Sequence, residues 1–118
     1  MSKIMIADDD TAIIDSLQLM LEEDGYDVET TVDGETARDM KQQMPDLLLL
    51  DVWMLGIDGR DICRHLKALE TTRHIPIIMY SANADISGSV KRAGADEFMT
   101  KPFQMQELLK LVRRYVSN

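Results

Sequence analysis

Hydrophobic and polar residues alternate along this 118-residue chain in two distinct periods. Short runs of apolar and β-prone residues are typical of strands, and they recur five times, at residues 4–7, 28–32, 47–50, 77–80 and 97–99. After each run, apolar residues recur three and four positions apart, which is the spacing of an amphipathic helix. The pattern therefore predicts five strand–helix units in strict alternation.

Capping and turn residues mark where several of these helices begin and end. Asp10 or Thr11 can cap the first helix and Asp33 the second, which Pro45 ends, while Asp58-Gly59 marks the turn into the third. The apolar stripes are Ile13, Ile14, Leu17, Met20 and Leu21 in the first helix; Ala37, Met40 and Met44 in the second; Ile62, Leu66 and Leu69 in the third; Ile86, Val90 and Ala93 in the fourth; and Met105, Leu108, Leu109, Val112, Tyr115 and Val116 in the fifth.

Strict strand–helix alternation predicts an α/β fold, with a parallel sheet covered by helices on both faces. The first, third and fourth strands are apolar throughout, as central strands buried on both faces should be. The second and fifth carry polar residues, which edge strands tolerate. This ranking favours a doubly wound, flavodoxin-like, five-stranded sheet in the order 2-1-3-4-5 with five helices. We predict one domain over residues 1–118.

Composition argues against several classes of function. The net charge of −8 disfavours direct nucleic-acid binding, which needs a basic surface. The apolar run at 47–50, like the other runs, is far too short to span a membrane, and the N-terminal residues lack the layout of a signal peptide. Cys63 is the single cysteine, and its place in a helical stripe predicts a buried, unreactive thiol. We therefore predict a cytoplasmic protein without membrane insertion.

Polar and charged side chains follow four of the predicted strands. The first strand is followed by Asp8-Asp9-Asp10, the third by Asp51, the fourth by Ser81 and the fifth by Thr100-Lys101-Pro102. Taken singly, each group has an ordinary structural explanation as a helix cap, a strand end or a turn residue. Ligands of open parallel sheets bind beyond the carboxyl ends of the strands, where the strand order reverses. The four strand ends together therefore predict one site.

The chemistry of these groups predicts phosphoryl transfer with Mg²⁺. This cation prefers oxygen ligands, and it usually takes one or two carboxylates with a phosphate oxygen and waters. It would relieve the repulsion among the clustered acids and allow an anionic phosphoryl group to approach a carboxylate nucleophile. Lys101, the Ser81 hydroxyl and the backbone N–H of Ala82 are candidate donors to the phosphoryl oxygens.

Over essentially its whole length, the chain resembles the receiver domains of bacterial response regulators, the phosphoacceptors of two-component signalling. The segments that carry the resemblance are Ala7-Asp8-Asp9-Asp10, Leu50-Asp51-Val52-Trp53-Met54 with Asp58-Gly59, Tyr80-Ser81-Ala82, Ala93-Gly94-Ala95-Asp96 and Lys101-Pro102-Phe103. The resemblance implies that Asp51 accepts a phosphoryl group. It also implies that Asp8 and Asp9 bind Mg²⁺ together with Asp51 and the backbone carbonyl of Trp53, with Mn²⁺ able to substitute.

The resemblance implies further roles around the acceptor. Ser81 and Lys101 would contact the phosphoryl oxygens, and the Lys101–Pro102 peptide bond would be cis. Ser81 and Phe98 would switch position after phosphorylation and change the surface formed by the last helices and the last strand. Trp53 and Asn83, each two positions beyond a site residue, would tune the lifetime of the phosphoryl group.

Two positions depart from the family pattern. Leu55, followed by Gly56, stands where the family usually has proline, which predicts a looser loop. Phe98 stands at an aromatic switch position that is often tyrosine, and its ring cannot form a hydrogen bond at its tip. The phosphorylation chemistry is unaffected by either change.

The resemblance also implies the partners. The phosphodonor would be a sensor histidine kinase or a histidine phosphotransfer protein, and the receiver of the signal an effector protein or a covalently linked output domain. The protein would be no enzyme in the ordinary sense, but a phosphoacceptor that assists its own phosphorylation and dephosphorylation.

Three other readings fit less well. A phosphatase of the haloacid dehalogenase type needs a second aspartate two residues after the first, where Trp53 stands. A dinucleotide-binding domain needs a glycine-rich loop after the first strand, which is Asp8-Asp9-Asp10 here. A non-phosphorylated receiver-like interaction module remains the alternative to the phosphoacceptor.

Overall fold

The predicted strands form one parallel sheet in the computed structural model, which describes residues 1–117. The strands are β1 (Lys3–Ala7), β2 (Asp27–Thr31), β3 (Leu47–Asp51), β4 (Trp53–Met54), β5 (Ile57–Asp58), β6 (Ile77–Ser81) and β7 (Glu97–Thr100). The helices are α1 (Thr11–Glu23), α2 (Gly34–Arg38), α3 (Gly59–Ala68), α4 (Ser87–Arg92) and α5 (Met105–Tyr115), with a single 3-10 turn at Ala84–Ile86 before α4.

The strand order in the sheet is β2-β1-β3-β6-β7, with every pairing parallel. Counted over these five strands alone, the order is 2-1-3-4-5, as the sequence predicted. Of the three inner strands, β3 and β6 are buried along their whole length and β1 is buried except at Lys3, whereas β2 and β7 at the edges keep exposed and half-buried residues. The polarity of the strands therefore predicted their positions correctly. The short strands β4 and β5 form a separate antiparallel hairpin.

Two hydrophobic cores lie on opposite faces of the sheet. Successive residues of β3 alternate between them, with Leu47 and Leu49 facing α1 and α5, and Leu48 and Leu50 facing α2, α3 and α4. All four leucines are fully buried. Since burying one leucine side chain contributes about 1.5–3 kcal/mol, this strand anchors both cores and fixes the position of Asp51 at its end.

The second helix is shorter than its apolar stripe predicted. It ends at Arg38, and Met40 and Met44 lie in an irregular segment, although both still pack against the core. Pro45 disfavours helical backbone at the residue before it, and Gln43 has a φ of 51°, which no right-handed helix accommodates. The helical spacing of the methionines was therefore misleading, because an irregular segment can bury the same side chains.

The third helix also ends earlier than predicted. It ends at Ala68, and Leu69 is the C-terminal cap, 41% exposed rather than part of the buried stripe. The buried Thr72 hydroxyl donates a hydrogen bond at 2.6 Å to the Leu66 carbonyl, which also accepts from the Leu69 N–H at the helix end. The fifth helix ends at Tyr115, so that Val116 caps it instead of extending its stripe.

Candidate functional site

Three carboxylates meet beyond the carboxyl ends of β1 and β3. Asp8 follows β1, Asp9 follows Asp8, and Asp51 is the last residue of β3. One oxygen from each lies within 4.8 Å of one oxygen from each of the others. Asp8 is fully buried and Asp51 is 6% exposed, while Asp9 is open to solvent. The sequence placed these acids together correctly, because adjacent parallel strands end at the same edge.

The acidic cluster carries more negative charge than the protein alone compensates. The pKa of Asp51 is raised to about 7, first because the carboxyl group is buried and second because the Asp8 charge lies beside it, while Lys101 opposes both effects. The Lys101 Nζ lies 3.6 Å from Asp51 Oδ1 and 3.8 Å from Asp8 Oδ2. One amine therefore faces two buried acids, an arrangement that favours binding of a further cation.

Lys101 reaches the acids from the loop after β7. The Lys101–Pro102 peptide bond is cis, as the resemblance implied. The Lys101 backbone N–H donates to the Ser81 carbonyl at 2.8 Å, which continues the pairing of β6 with β7 beyond the last strand residue. A backbone hydrogen bond therefore holds Lys101 beside Ser81, whose hydroxyl the sequence analysis also predicts to contact the phosphoryl group.

The other predicted phosphoryl-contacting groups lie at the end of β6. Ser81 is buried, and its hydroxyl oxygen accepts a hydrogen bond from the Asn83 backbone N–H at 3.1 Å. Ala82 is exposed beside Lys101 on the wall of an apolar depression of about 340 Å³. The Asn83 side chain caps the following 3-10 turn by accepting from the Asp85 N–H at 2.9 Å.

Tyr80 is a member of the site that the sequence analysis assigned only to a core strand. It pairs in register with Asp51, and its hydroxyl donates a 2.8 Å hydrogen bond to Asp8 Oδ2. Its ring centroid lies 5.0 Å from the Lys101 Nζ. The available signal was an aromatic residue with a polar tip next to a strand end, since buried tyrosine hydroxyls usually have a partner.

The loop after Asp51 is a paired hairpin rather than the looser loop that the sequence predicted. Leu55 and Gly56 have φ angles of 47° and 77°, and positive φ at both central residues is the pattern of a type I′ turn. The Leu55 N–H donates to Asp9 Oδ2 at 3.0 Å. A proline at this position has no N–H to donate, so the departure from the family pattern supplies a contact to the acidic cluster.

Comparison with known proteins agrees with this geometry. The family model described as "Response regulator receiver domain" matches residues 4–113. The chain belongs to the response regulator receiver domain family. Receiver domains are signalling domains of two-component systems rather than enzymes in the ordinary sense, and they bind Mg²⁺ in an acidic pocket.

Curated relatives of the receiver domain include longer regulators. The DNA-binding dual master transcriptional regulator RpaA of Synechocystis is 40% identical over 116 residues, which are 96% of this chain and 48% of that protein. The response regulator MprA of Mycobacterium avium is 40% identical over 114 residues, 94% of this chain and 49% of that protein. The chain thus spans about half the length of these relatives.

Solved structures of similar domains cover nearly the whole chain. A response regulator from Chloroflexus aurantiacus superposes with a TM-score of 0.89 at 35% identity, over 97% of this chain and 96% of that one. The receiver domain of the sensor histidine kinase PA1611 from Pseudomonas aeruginosa has a TM-score of 0.85 at 28% identity, with the same coverage of both chains. The latter structure holds a magnesium ion in its active-site cleft.

Trp53 lies on β4, two residues beyond Asp51, and is 55% exposed. The Arg60 guanidinium lies 5.2 Å from its ring centroid, within the range of a cation–π contact. Arg60 also pairs with Asp58 at 2.7 Å and donates to the Ser89 hydroxyl of α4 at 2.9 Å. Arg60 therefore links the hairpin to α4, and no short-range pattern in the sequence indicated this contact.

Phe98 is half-buried on β7 of the receiver domain and packs against the core that α3 and α4 cover. It also lines an open groove of about 700 Å³ together with residues of α5 such as Glu107 and Lys110. Cys63 is fully buried, and burial raises the pKa of its thiol to about 11, consistent with an unreactive side chain. Across residues 1–117, no helix has the length and apolar character needed to cross a membrane.

Proposed function

We propose that this receiver domain, over residues 1–118, accepts a phosphoryl group on Asp51 from the phosphohistidine of a sensor histidine kinase or a histidine phosphotransfer protein. The observation that carries the proposal is the meeting of three carboxylates within 4.8 Å, with Lys101 3.6 Å from Asp51. Asp51 lies at the end of a strand buried on both faces, which holds the nucleophile in one place.

The acidic cluster fits a divalent cation with oxygen ligands. We assign Asp8, Asp9, Asp51 and the backbone carbonyl of Trp53 as its protein ligands, and Mg²⁺ as the ion, with Mn²⁺ able to substitute. The buried, incompletely compensated charge of Asp8 and Asp51 supports this choice. When bound, such a cation neutralises the acids and screens the approach of the phosphoryl group.

In the proposed transfer, a carboxylate oxygen of Asp51 attacks phosphorus in line with the phosphohistidine nitrogen. The oxygen–phosphorus bond forms, the phosphorus–nitrogen bond breaks, and its electron pair stays on the imidazole, leaving an aspartyl phosphate. Lys101 is close enough to Asp51 to follow the new negative charge, and the Ala82 N–H and Ser81 hydroxyl lie at the neighbouring strand end. These three groups stabilise the phosphoryl oxygens.

The signal is a shift between two arrangements of the switch residues Ser81 and Phe98. The Ser81 hydroxyl now accepts from the Asn83 N–H, and turning toward a phosphoryl oxygen would release that contact. Phe98 would then move inward from its half-buried place, changing the groove between β7 and α5. A partner that binds one arrangement more tightly reads the difference. Trp53 and Asn83 tune the lifetime by limiting the access of water to Asp51.

The partners of the signalling step are an effector protein or a covalently linked output domain, without direct contact of this domain with nucleic acid. The relatives RpaA and MprA, which are about twice as long, support a linked output domain. The domain assists its own phosphorylation and dephosphorylation, and a cytoplasmic location, typical of the family, completes the proposal.

The test is the intact mass of the protein after incubation with Mg²⁺ and acetyl phosphate. We expect one added phosphoryl group that hydroxylamine removes, and none with EDTA or in Asp51→Asn. Asp61→Asn is the matched control, since Asp61 is an exposed acid on α3. Phosphorylation of Asp51→Asn would contradict the proposal. No adduct with acetyl phosphate or with phosphohistidine donors would favour the non-phosphorylated interaction module.

A further inference from the structure

The Tyr80 side chain is fully enclosed by the hydrophobic core. It has no exposed surface, and its ring packs in the core that α1 and α5 cover. Phe103 meets it edge to face, with ring centroids 5.7 Å apart and an interplanar angle of 63°. Tyrosine has two side-chain torsions, so a ring enclosed in this way places its hydroxyl at a fixed point.

The Tyr80 hydroxyl is placed beside a carboxylate oxygen of the acidic cluster. The Tyr80 hydroxyl donates to Asp8 Oδ2 at 2.8 Å, and the Asp10 N–H donates to Asp8 Oδ1 at 2.9 Å. Both oxygens of the fully buried Asp8 thus have a donor of fixed position, which determines the plane of the carboxylate. Lys101 faces both Asp8 and Asp51, at 3.8 and 3.6 Å, so the Tyr80 and Asp10 donors are what distinguish Asp8 from Asp51.

We propose that Tyr80 is a positioning residue of the metal site: its hydroxyl orients the Asp8 carboxylate and so sets the affinity of the site for Mg²⁺. This inference rests on the proposed function, because it assumes that Asp8 is a Mg²⁺ ligand. Removing a group that forms a hydrogen bond with a metal-ligating side chain typically weakens metal affinity by about 10–100-fold.

A different role for the same hydroxyl predicts the opposite sign. If the Tyr80 hydroxyl only relieved the buried charge of Asp8 when no metal is bound, its loss would destabilise the metal-free protein alone. Mg²⁺ binding would then become tighter, because binding would remove the penalty. If the hydroxyl only supported the fold, the variant would lose stability equally with and without Mg²⁺. The direction of the change in Mg²⁺ affinity therefore separates the three roles.

The experiment compares Tyr80→Phe with Tyr26→Phe in the full chain. The first variant removes the hydroxyl and keeps the ring that packs against Phe103 and faces Lys101. The second removes the hydroxyl of another buried tyrosine, which donates to the Val116 carbonyl at 3.0 Å at the opposite end of the sheet. Mg²⁺ affinity is read from the rise of the thermal midpoint with MgCl₂ and from the fluorescence of Trp53, the single tryptophan.

We expect Tyr80→Phe to bind Mg²⁺ about tenfold more weakly than the native chain and Tyr26→Phe to bind it with unchanged affinity. Half-saturation of acetyl phosphate labelling should move to higher Mg²⁺ by the same factor, with a rate at saturating Mg²⁺ close to native. Unchanged or tighter binding by Tyr80→Phe would overturn the role of Tyr80 and leave the proposed function standing. A native chain that binds no Mg²⁺ would overturn both.

Discussion

The two sides of the acidic site are built differently. On the metal side, formed by the β1–α1 turn and the β4–β5 hairpin, each carboxylate of the turn has a fixed donor: Tyr80 and the Asp10 N–H bind Asp8, and the Leu55 N–H binds Asp9. On the switch side, formed by residues 82–92, Ala82 and Asn83 are exposed and α4 has six residues. A rigid side beside a weakly held one suits a site that binds a cation in place and then moves a neighbouring loop.

The largest expected effect comes from the charge on the metal side. Because the pKa of Asp51 is raised to about 7, its contribution to stability is complete below its ordinary pKa and is lost as the pH rises through 7. In EDTA, unfolding free energy should therefore fall between about pH 4 and pH 8, by a few kcal/mol at about 1.4 kcal/mol per unit of pKa shift.

Denaturant unfolding of the native chain and of Asp51→Asn at several pH values measures this contribution. The variant should be more stable than the native chain at pH 8 and nearly equal to it at pH 4, and saturating Mg²⁺ should reduce the difference. Asp61→Asn, an exposed acid, should follow the native curve. If the unfolding free energies of Asp51→Asn and the native chain changed with pH in parallel, the pKa of Asp51 would not be raised in the folded protein.

Glycines on the two sides provide the next comparison. A Cβ added to Gly59, the first residue of α3, would lie 2.4 Å from the Asp51 carbonyl oxygen, whereas one added to Gly88 in α4 would meet only the flexible end of Arg92 at 3.2 Å. We expect Gly59→Ala to lose roughly 1–3 kcal/mol of stability, because backbone must move. Gly88→Ala should gain about 0.5–1 kcal/mol from helix propensity.

Chemical denaturation gives both values, and acetyl phosphate labelling adds a functional readout. Gly59→Ala should also slow phosphorylation, since the displaced backbone belongs to Asp51, the proposed acceptor. Equal tolerance of alanine at the two positions would remove the distinction between a tightly fitted and a loosely fitted side.

Sequence patterns predicted the parts of this molecule that depend on local periodicity and on strand ends. The apolar runs gave the sheet order, and the residues after them gave the acids, Ser81 and Lys101. The role of Tyr80 was missed because it depends on the register of β3 with β6, which places Tyr80 beside Asp51. The hairpin was missed because Leu55-Gly56 lacks the Asn-Gly pair that usually marks such a turn. Contacts between distant segments, such as that of Arg60 with Ser89, leave no local pattern at all.

Two substitutions of Leu55, on the metal side, should change stability by a smaller amount and in opposite directions. A leucine with a φ of 47° is strained by about 1–2 kcal/mol, whereas asparagine tolerates this region and is preferred before glycine in a type I′ turn. Leu55→Asn should therefore raise stability by about 1 kcal/mol and keep the N–H that binds Asp9. Leu55→Pro, although it restores the usual residue of the family, should destabilise the hairpin. Thermal unfolding measures both variants. A shift of the two thermal midpoints in the same direction from that of the native chain would contradict the turn assignment.

The smallest expected effect is the loss of stability when a helix-capping residue on each side is replaced by alanine. Asp10 accepts from the N–H groups of Ala12 and Ile13 at the start of the 13-residue α1, whereas Asn83 accepts from one N–H at the start of a three-residue turn. Replacing a capping residue by alanine typically costs about 1 kcal/mol when the helix it starts is packed in the core. Asp10→Ala should therefore lower the unfolding free energy by about that amount.

Asn83→Ala should lower it by less than about 0.5 kcal/mol, because a segment that opens locally contributes little to global stability. Hydrogen exchange should locate that loss in residues 84–92, while amides of α1 keep their protection. A cap at Asn83 worth as much as the one at Asp10 would mean that the switch side is as firmly held as the metal side. Phosphorylation would then have to break a stable structure rather than shift a loop that already opens.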